Sequence, residues 1–462
     1  MDFDDDLLID LLQTLDAPQA RFAELERYYS GTQSLAFLSP ESRLALGNRL
    51  DRIATNLPRL AVASLAERLR VNGFTGDPGI WQLFLKSDLD QLSGVAHREA
   101  LLLGASYVVC WTDKRGNPSA SIESAKQVAV LADPGTREIT SAVKRWRTRT
   151  TTEGLLYEPD RITRLRADTP GAATTGFYVI DQFDNPLGVV PVVQLRNAER
   201  IPVGMVSYPD RLLEYGLSEI QDLCPLVDGI NKLLSDLMVA AEYTAQPRRW
   251  ATGVEMVEVP KLDADGNAVL DDDNQPVTVA VNPFPEGKRM MIAEPDGAKF
   301  GQLAGADLSG YRAAVDILLS QVMAVSALPA HFVGITTSNP ASADALRAAE
   351  ASLTARAEAR QQVFGRAWEQ VGRLMVAIQN GVDPSEVDCK IKWASADTRS
   401  IAQESDAVVK LYQAGLLPQS IALAKLGYDQ DSIAKMVAEK AGHGIDEYNF
   451  DAYYSGGLAA NG

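Results

Sequence analysis

The sequence predicts an α+β protein that is mainly helical, and three observations carry that expectation. Apolar residues recur at helical spacing through most of the first hundred positions and again through 214–245, 306–328 and 341–381. Between 106 and 196 the pattern changes to short alternating runs separated by Asp, Asn, Pro and Gly. A second block of such runs, 248–300, is inserted between two of the helical stretches. With 462 residues, 46% of them hydrophobic, the chain is long enough for two or three domains and a sizeable core.

Taken in order, Leu7, Leu8, Leu11, Leu12 and Leu15 follow helical spacing behind an acidic first turn. Ser39 as N-cap and Pro40 at the first helical position open a second helix, with Leu44, Leu50, Ile53, Leu57 and Leu60 on one side. A third runs from Ile80 to Leu103, where Gly104 stops it. SYVVCW is then a strand and DKRGN (113–117) a turn, with further strands near 127–132, 138–149, 154–166, 176–181 and 189–195. Together they predict a mainly antiparallel region packed beside the first helices.

From 214 to 245, Ile220, Leu223, Leu226, Ile230, Leu233, Leu237, Met238 and Ala241 predict a helix. Pro225 inside the pattern predicts a kink or a restart, and Pro247 requires an end by Gln246. In the inserted block VTVAV (277–281) alternates cleanly and ATGVEMVEV (251–259) less so, with Asp265-Gly266 as a hairpin-type turn between them. Helix resumes over 306–328 on Leu308, Tyr311, Val315, Leu318, Leu319, Val322 and Val325, and Pro329 ends it.

The loop PAHFVGITTSN comes next, and then Asn339 as N-cap and Pro340 open one unbroken helix to Asn380-Gly381. At 1.5 Å per residue this rod is ~60 Å long. Its first half is rich in alanine and its second half carries Phe364 and Trp368. Such a rod is anchored at one end only. It is either a buried helix of a large monomer or one whose alanine half meets copies of itself or a cavity. EVDCKIKW (386–393) is one more strand. Two or three short helices broken at Gly415, Pro418 and Gly427 lie between Asp397 and Lys440, and the tail 455–462 carries no structural pattern.

Composition and motifs exclude several functions. A net charge of −17 argues against a protein that grips nucleic-acid phosphates, though not against one that touches DNA without holding it. Cys110, Cys224 and Cys389 lie too far apart for a disulfide framework or a zinc spacing, so reduced thiols are expected. No run of about 18 apolar residues is present, and the first residues are acidic where a secretory signal would be basic, which predicts cytoplasmic synthesis. GxxxxGK[ST], GxGxxG and GxSxG are absent, and His97, His331 and His443 have no partner at ligand spacing. The segment DADGNAVLDDDN (263–274) is read as a hairpin with a solvated acidic tip, because its glycine falls at the wrong position for a calcium loop. No cofactor or metal is expected.

Three stretches carry signal. The helices 214–245 and 306–328 flank the β insertion like a stalk with a tip, and they carry Asp222, Asp228, Asp236, Glu242, Asp307 and Asp316 against Lys232 and Arg312. Such charges mean a solvated face or an acidic wall. The loop after Pro329 is longer than most interhelix connections, and the long helix begins at its far end.

The ordered set YYSGTQ (28–33), GVVPVVQLRN (188–197), YGLSEIQDLCPLVDGINKLLSDLMVAAEYTAQPRRWATG (215–253) and NPASADALRAAEASLTARAEARQQVFGRAWE (339–369) resembles the tailed-phage portal proteins with the SPP1-type fold, as found in phages and prophages of actinobacteria. The resemblance spans nearly the whole chain. It implies a wing (1–213, with the long helix 341–381 and a strand region 382–396), a two-helix stem (214–245 and 306–328), a β clip (246–305), a tunnel loop (329–340) and a helical crown with its tail (397–462). The clip departs from the family pattern in showing no obvious helix between its strands.

The function implied is a ring, usually of twelve copies, at one capsid vertex, made in the host cytoplasm and carried in the virion. Double-stranded DNA would pass through it without sequence specificity. The implied partners are the terminase large subunit, which would hydrolyse the ATP, a head-tail adaptor, and the major capsid and scaffolding proteins. No membrane is implied. Mapped onto this sequence, the tunnel loop would expose Val333, Gly334, Ile335, Thr336, Thr337, Ser338 and Asn339. Asp222, Asp228, Asp236 and Asp316 are the candidates for the channel wall. Arg248, Arg249, Asp265, Gly266, Asp271 and Asp272 are the candidates for motor and adaptor docking, and Ala349 and Ala357 for the boundary between subunits. The alternatives are another virion connector and a hydrolase with a hidden carboxylate site.

Overall fold

The computed structural model describes residues 5–34, 54–198, 215–245, 249–253, 257–262, 266–271, 275–281, 297, 299–302, 307–335, 343–397, 401–426, 428 and 430–443. The helix expected behind Ser39 and Pro40 lies outside them up to position 53, as does the tail 455–462. Leu57 and Leu60, expected on the stripe of that helix, belong to α3 (Leu57–Ala66), which starts where Pro58 fits the first turn.

The N-terminal helix α1 (Asp5–Asp16) forms as its spacing predicts, and α2 (Gln19–Ser30), which no spacing argument had singled out, follows it after a short turn. Leu8, Leu11, Leu12 and Leu15 are buried against Ala129, Val143, Leu156 and Leu165 of a five-stranded sheet. That sheet is an antiparallel meander of β4 (Val128–Ala132), β5 (Ile139–Arg147), β6 (Thr152–Tyr157), β7 (Arg161–Ala167) and β8 (Tyr178–Asp184). Residues 154–166 are therefore two strands and not one, because Glu158 to Arg161 make a turn closed by the Glu158 amide and the Arg161 carbonyl.

A second sheet is ordered β3 (Pro118–Ser124), β2 (Ala105–Thr112), β9 (Val192–Arg196), and a two-stranded one pairs β1 (Val71–Gly76) with β14 (Cys389–Trp393). The helix expected over Ile80–Leu103 is two, α4 (Ile80–Lys86) and α5 (Leu89–Leu103). Ser87 and a left-handed Asp88 (φ 54°) separate them and let both bury their apolar faces on one core.

The stretch from 214 also differs from expectation. Residues 216–220 are irregular, Gln221–Leu223 form a single tight turn, and α6 begins only at Cys224 and runs to Ala245. Pro225 thus restarts the helix. The reason lies in Gly216 (φ 81°), which sits face to face with Gly104: a Cβ on Gly216 would stand 2.0 Å from the Gly104 carbonyl oxygen. Asn197 fixes the same segment by accepting from the Leu217 amide and donating to the Leu217 carbonyl and Glu219.

Beyond α6 the insertion is built from β10 (Arg249–Thr252) paired with β13 (Lys299–Gln302), and β11 (Val257–Pro260) paired with β12 (Thr278–Val281). The run 251–259 is thus split between two ladders. Isolated antiparallel bridges pair Leu262 with Ala268 and Leu270 with Pro276, and the Asp271 amide donates to the Gln275 carbonyl. Helix α7 (Ser309–Ser326) returns antiparallel along α6: Arg249 pairs with Gln302, and Gly229 faces Leu318.

The long helix α8 (Ala343–Asn380) is continuous over 38 residues, and Gly381 in the left-handed region ends it. Phe364, Trp368, Val371, Leu374 and Met375 are buried in the main core with Phe84, Leu101 and Val108. Glycines let neighbours approach the rod: a Cβ on Gly372 would lie 2.7 Å from Cys389 Sγ, and one on Gly365 3.2 Å from Ile391. In the middle of this core Trp368 Nε1–H donates to His97 Nε2 at 2.8 Å, and the His97 ring stacks on Phe364. Complete burial pushes the His97 imidazole down to about 3, with the Leu69 carbonyl opposing weakly, so the ring is neutral. Three shorter helices, α9 (Ile401–Gln413), α10 (Gln419–Lys425) and α11 (Gln430–His443), complete the described chain.

Candidate functional site

The stalk, the loop after it and the head of α8 meet in one place. Helix α7 ends at Ser326, Ala327 turns left-handed (φ 58°), and Pro329 starts a tight turn, Ala330–Val333, that Gly334 (φ 79°) terminates. The loop is therefore not a free polar segment from its start. Phe332 and Val333 pack against the main core, Gly334 and Ile335 are exposed, and the Ile335 amide donates back to the Ala330 carbonyl at 3.1 Å. Thr336, Thr337, Ser338 and Asn339 lie outside the described residues.

Two buried charge clusters hold the base of this loop. In the first, Glu350 of α8 accepts from Arg68 at 2.7 Å and lies 3.3 Å from His331 Nε2, while Arg68 also donates to the Ala396 carbonyl at 2.7 Å. In the second, Glu219 receives Arg360 at 2.7 Å, Arg356 at 2.9 Å and Asn197 Nδ2 at 2.9 Å. Arg356 donates in addition to the Val325 carbonyl at 2.7 Å, tying the last turn of α7 to α8. The side chains of Glu219 and Arg360 are each only 5% exposed. Sequence reasoning did not single out these residues. The available signal was Arg356 and Arg360, one turn apart on an otherwise apolar-facing stripe.

The four aspartates proposed for a channel wall have different surroundings. Asp222 is exposed just before α6. Asp316 is exposed on α7, beside the exposed Ile317 and 4.0 Å from Arg312. Asp236 is half-buried in an ion pair with Lys232 one turn earlier. Asp228 accepts from the Tyr28 hydroxyl at 2.7 Å, so its carboxylate is engaged by α2. Burial and this carboxylate together raise the Tyr28 hydroxyl well above the usual phenol range.

Of the docking candidates, Arg248, Asp265 and Asp272 lie outside the described residues, and only the backbone of Arg249 is described, in β10. Gly266 is left-handed (φ 85°), and Asp271 Oδ1 accepts from the Gln275 amide. Ala349 is exposed on the alanine-rich first half of α8, with Leu346 nearby. Ala357 is fully buried in the chain's own core, and the expectation that it lies at a subunit boundary is corrected: it has no surface to offer a neighbour.

Little in this geometry suits small-molecule chemistry. Among the described residues no group of three or more His, Cys, Asp or Glu is placed to hold a metal ion, and no helix is long and apolar enough to cross a membrane. Burial pushes the Cys110, Cys224 and Cys389 thiols up to about 12, so all three are protonated at neutral pH. What the fold presents is a braced loop between the antiparallel helices α6 and α7 and the long rod α8.

The family model described as phage portal protein, SPP1 Gp6-like, matches residues 12–443, and the chain belongs to that family. It is thus a portal protein, a subunit of the ring at a capsid vertex through which DNA passes. The portal proteins of Mycobacterium phages D29 and L5 are each 28% identical to it, over 411 and 419 residues, covering 84% of this chain and 79% of theirs. Similar solved structures include the virion of a native gene transfer agent particle, at 13% identity and a TM-score of 0.43, covering 90% of this chain and 99% of that one. The neck of the native particle with C12 symmetry matches at 15% identity and a TM-score of 0.42, covering 88% and 93%.

Proposed function

We propose that in this portal α6 and α7 are the stem that carries the channel wall, that β10 to β13 form the clip, and that residues 329–340 are a tunnel loop reaching toward the DNA. Residues 1–213, α8 and β14 make the wing, and α9 to α11 the crown. The ring has twelve copies and is assembled in the host cytoplasm. Its clip docks the terminase motor during filling and the head-tail adaptor afterwards, and its wing meets the capsid and scaffolding proteins. The chain itself performs no catalysis.

The observation that carries this reading is the loop base. A loop that touches a moving duplex needs a rigid seat, and buried ion pairs supply one only where each charge is matched by several donors or acceptors. Glu219 and Glu350 are matched in that way, and both anchor the first half of α8, whose alanine-rich opening turns emerge from the core. Head-to-tail closure of a ring demands different patches on the two sides of each subunit. Exposed Leu346 and Ala349 on that emerging half offer one such patch.

The acidic balance gives the wall its chemistry. Carboxylates repel phosphate and displace no condensed counterions, so the duplex slides; lysines or arginines in the same places would release counterions and hold it. Asp222 and Asp316, both exposed, are the strongest candidates for axial carboxylates; Asp236 is partly neutralised by Lys232 and Asp228 is turned to Tyr28. Packaging rates measured with Asp316→Lys and Asp222→Lys rings test this. Slowed or stalled translocation in rings of normal appearance is expected, and wild-type rates in both variants would remove these residues from the wall.

A further inference from the structure

Among the described residues no strand pairs with the second edge of β14. The Asp388 carbonyl and the Ala394 amide bond toward β1, so Cys389, Ile391 and Trp393 direct their main-chain groups to the opposite edge. There the Ile391 amide donates to Glu369 of α8, at 3.3 Å. Between this edge and α8 runs an open groove of about 790 Å³, with Glu358, Arg366, Arg373, Lys390 and Trp393 among its lining residues. Of its carboxylates Glu369 also holds Lys390 at 3.2 Å, while Glu358 at the far end is exposed and forms no ion pair among the described residues. On the cationic side, Arg366 and the adjoining Lys392 are exposed and form no ion pair among the described residues. The Arg373 Nε donor is shut off from solvent and has no acceptor among the described residues. A buried donor left without a partner is costly, so this one can take an acceptor brought into the groove.

The same chain carries an edge of opposite character. All seven residues of β8 are exposed, and among the described residues the strand pairs only with β7. Tyr178, Val179, Ile180 and Phe183 are 38–47% exposed, which is unusual for an edge strand unless a partner covers it; the ladder with β7 is bulged at Ile180, so regular pairing is offered from Asp181 onward. Asp181 and Asp184 form no ion pair among the described residues.

We propose that the groove beside β14 receives the β8 edge of the next subunit. The acidic edge strand adds to β14 by main-chain pairing, its carboxylates meet Arg366, Arg373 and Lys392, and Glu369 gives up the Ile391 amide to the incoming backbone. Two unlike, complementary edges on one chain are what a closed head-to-tail ring requires. The proposal rests on the ring reading above and assigns one of its contacts.

The test uses full-length rings. Asp181→Cys or Asp184→Cys is combined with Lys390→Cys or Lys392→Cys, and the rings are oxidised. Expected is a ladder of covalent multimers on denaturing gels for at least one pairing, reversed by reductant and absent from every single variant. Independently, Arg366→Glu with Arg373→Glu, and Asp181→Lys with Asp184→Lys, should each lower ring yield at least tenfold, and the combined four-fold variant should recover it. Rings that form normally in both charge-reversed variants and give no ladder overturn the proposal while leaving the ring itself intact. Absence of rings from the unmodified protein would strike the ring reading instead.

Discussion

Glu219 is the residue whose loss should reveal how the tunnel loop is seated. Its carboxylate collects charge-assisted bonds from Arg360 and Arg356 and a further bond from Asn197, with a side chain only 5% exposed. Replacing it by Gln keeps the volume and one acceptor but leaves the equally buried Arg360 beside a neutral amide. Breaking a buried pair from one side costs about 3–5 kcal/mol, because the remaining charge stays desolvated. Arg356 softens the loss slightly, since it is partly exposed and keeps the Val325 carbonyl. For Glu219→Gln the expected destabilisation is therefore about 3 kcal/mol, the lower end of that range. Arg360→Met should be milder, about 1–2 kcal/mol, as Glu219 then retains Arg356 and Asn197. The assay is urea unfolding of the subunit followed by tryptophan fluorescence, with buried Trp368 on α8 as the reporter. A Glu219→Gln protein within about 0.5 kcal/mol of wild type would refute the claim that this cluster fixes the loop base.

Two further predictions concern the core that holds the rod. The folded His97 stays neutral down to about 3 whereas the unfolded residue titrates near 6.5, so acid favours the unfolded chain across that window. Stability should fall by about 2.5 kcal/mol between neutral pH and about 4.5 from this group, and His97→Gln, which can still accept from Trp368, should remove that part of the slope; identical slopes by urea unfolding would contradict it. Gly372→Ala sets a methyl 2.7 Å from Cys389 Sγ and 3.0 Å from Ile80, and should cost about 1–3 kcal/mol by the same measurement; an unchanged midpoint would show that β14 can move off the helix freely.

Much of the architecture was legible because it comes from periodicity. The rod from 343 to 380 has a long stripe ending in Phe364, Trp368, Val371 and Met375, with glycine beyond it, and no proline interrupts it. The order of helix, β insertion and helix was readable for the same reason. What was not legible depends on contacts distant in sequence. Strand β1 (VNGFTG) has little alternation of its own and is held by β14 over three hundred residues away. The break at Ser87–Asp88 carries neither proline nor glycine, and the irregular segment before α6 exists because Gly216 must meet Gly104. Ala357 was misplaced because an alanine pattern on a helix does not say which face the rest of the chain covers. The loop's seat escaped for a related reason: Arg68, Glu219, Glu350 and Arg360 look like surface charges until the fold buries them together.

The central claim is that copies of this chain close around an axis and present carboxylates to the DNA. Electron microscopy of the purified full-length protein, carried to a resolution that shows side chains on α6 and α7, tests it most directly. The account predicts closed rings with a central hole and with Asp222 or Asp316 facing the axis. Solitary globules, or rings whose inner wall is lined by arginine and lysine, would contradict it.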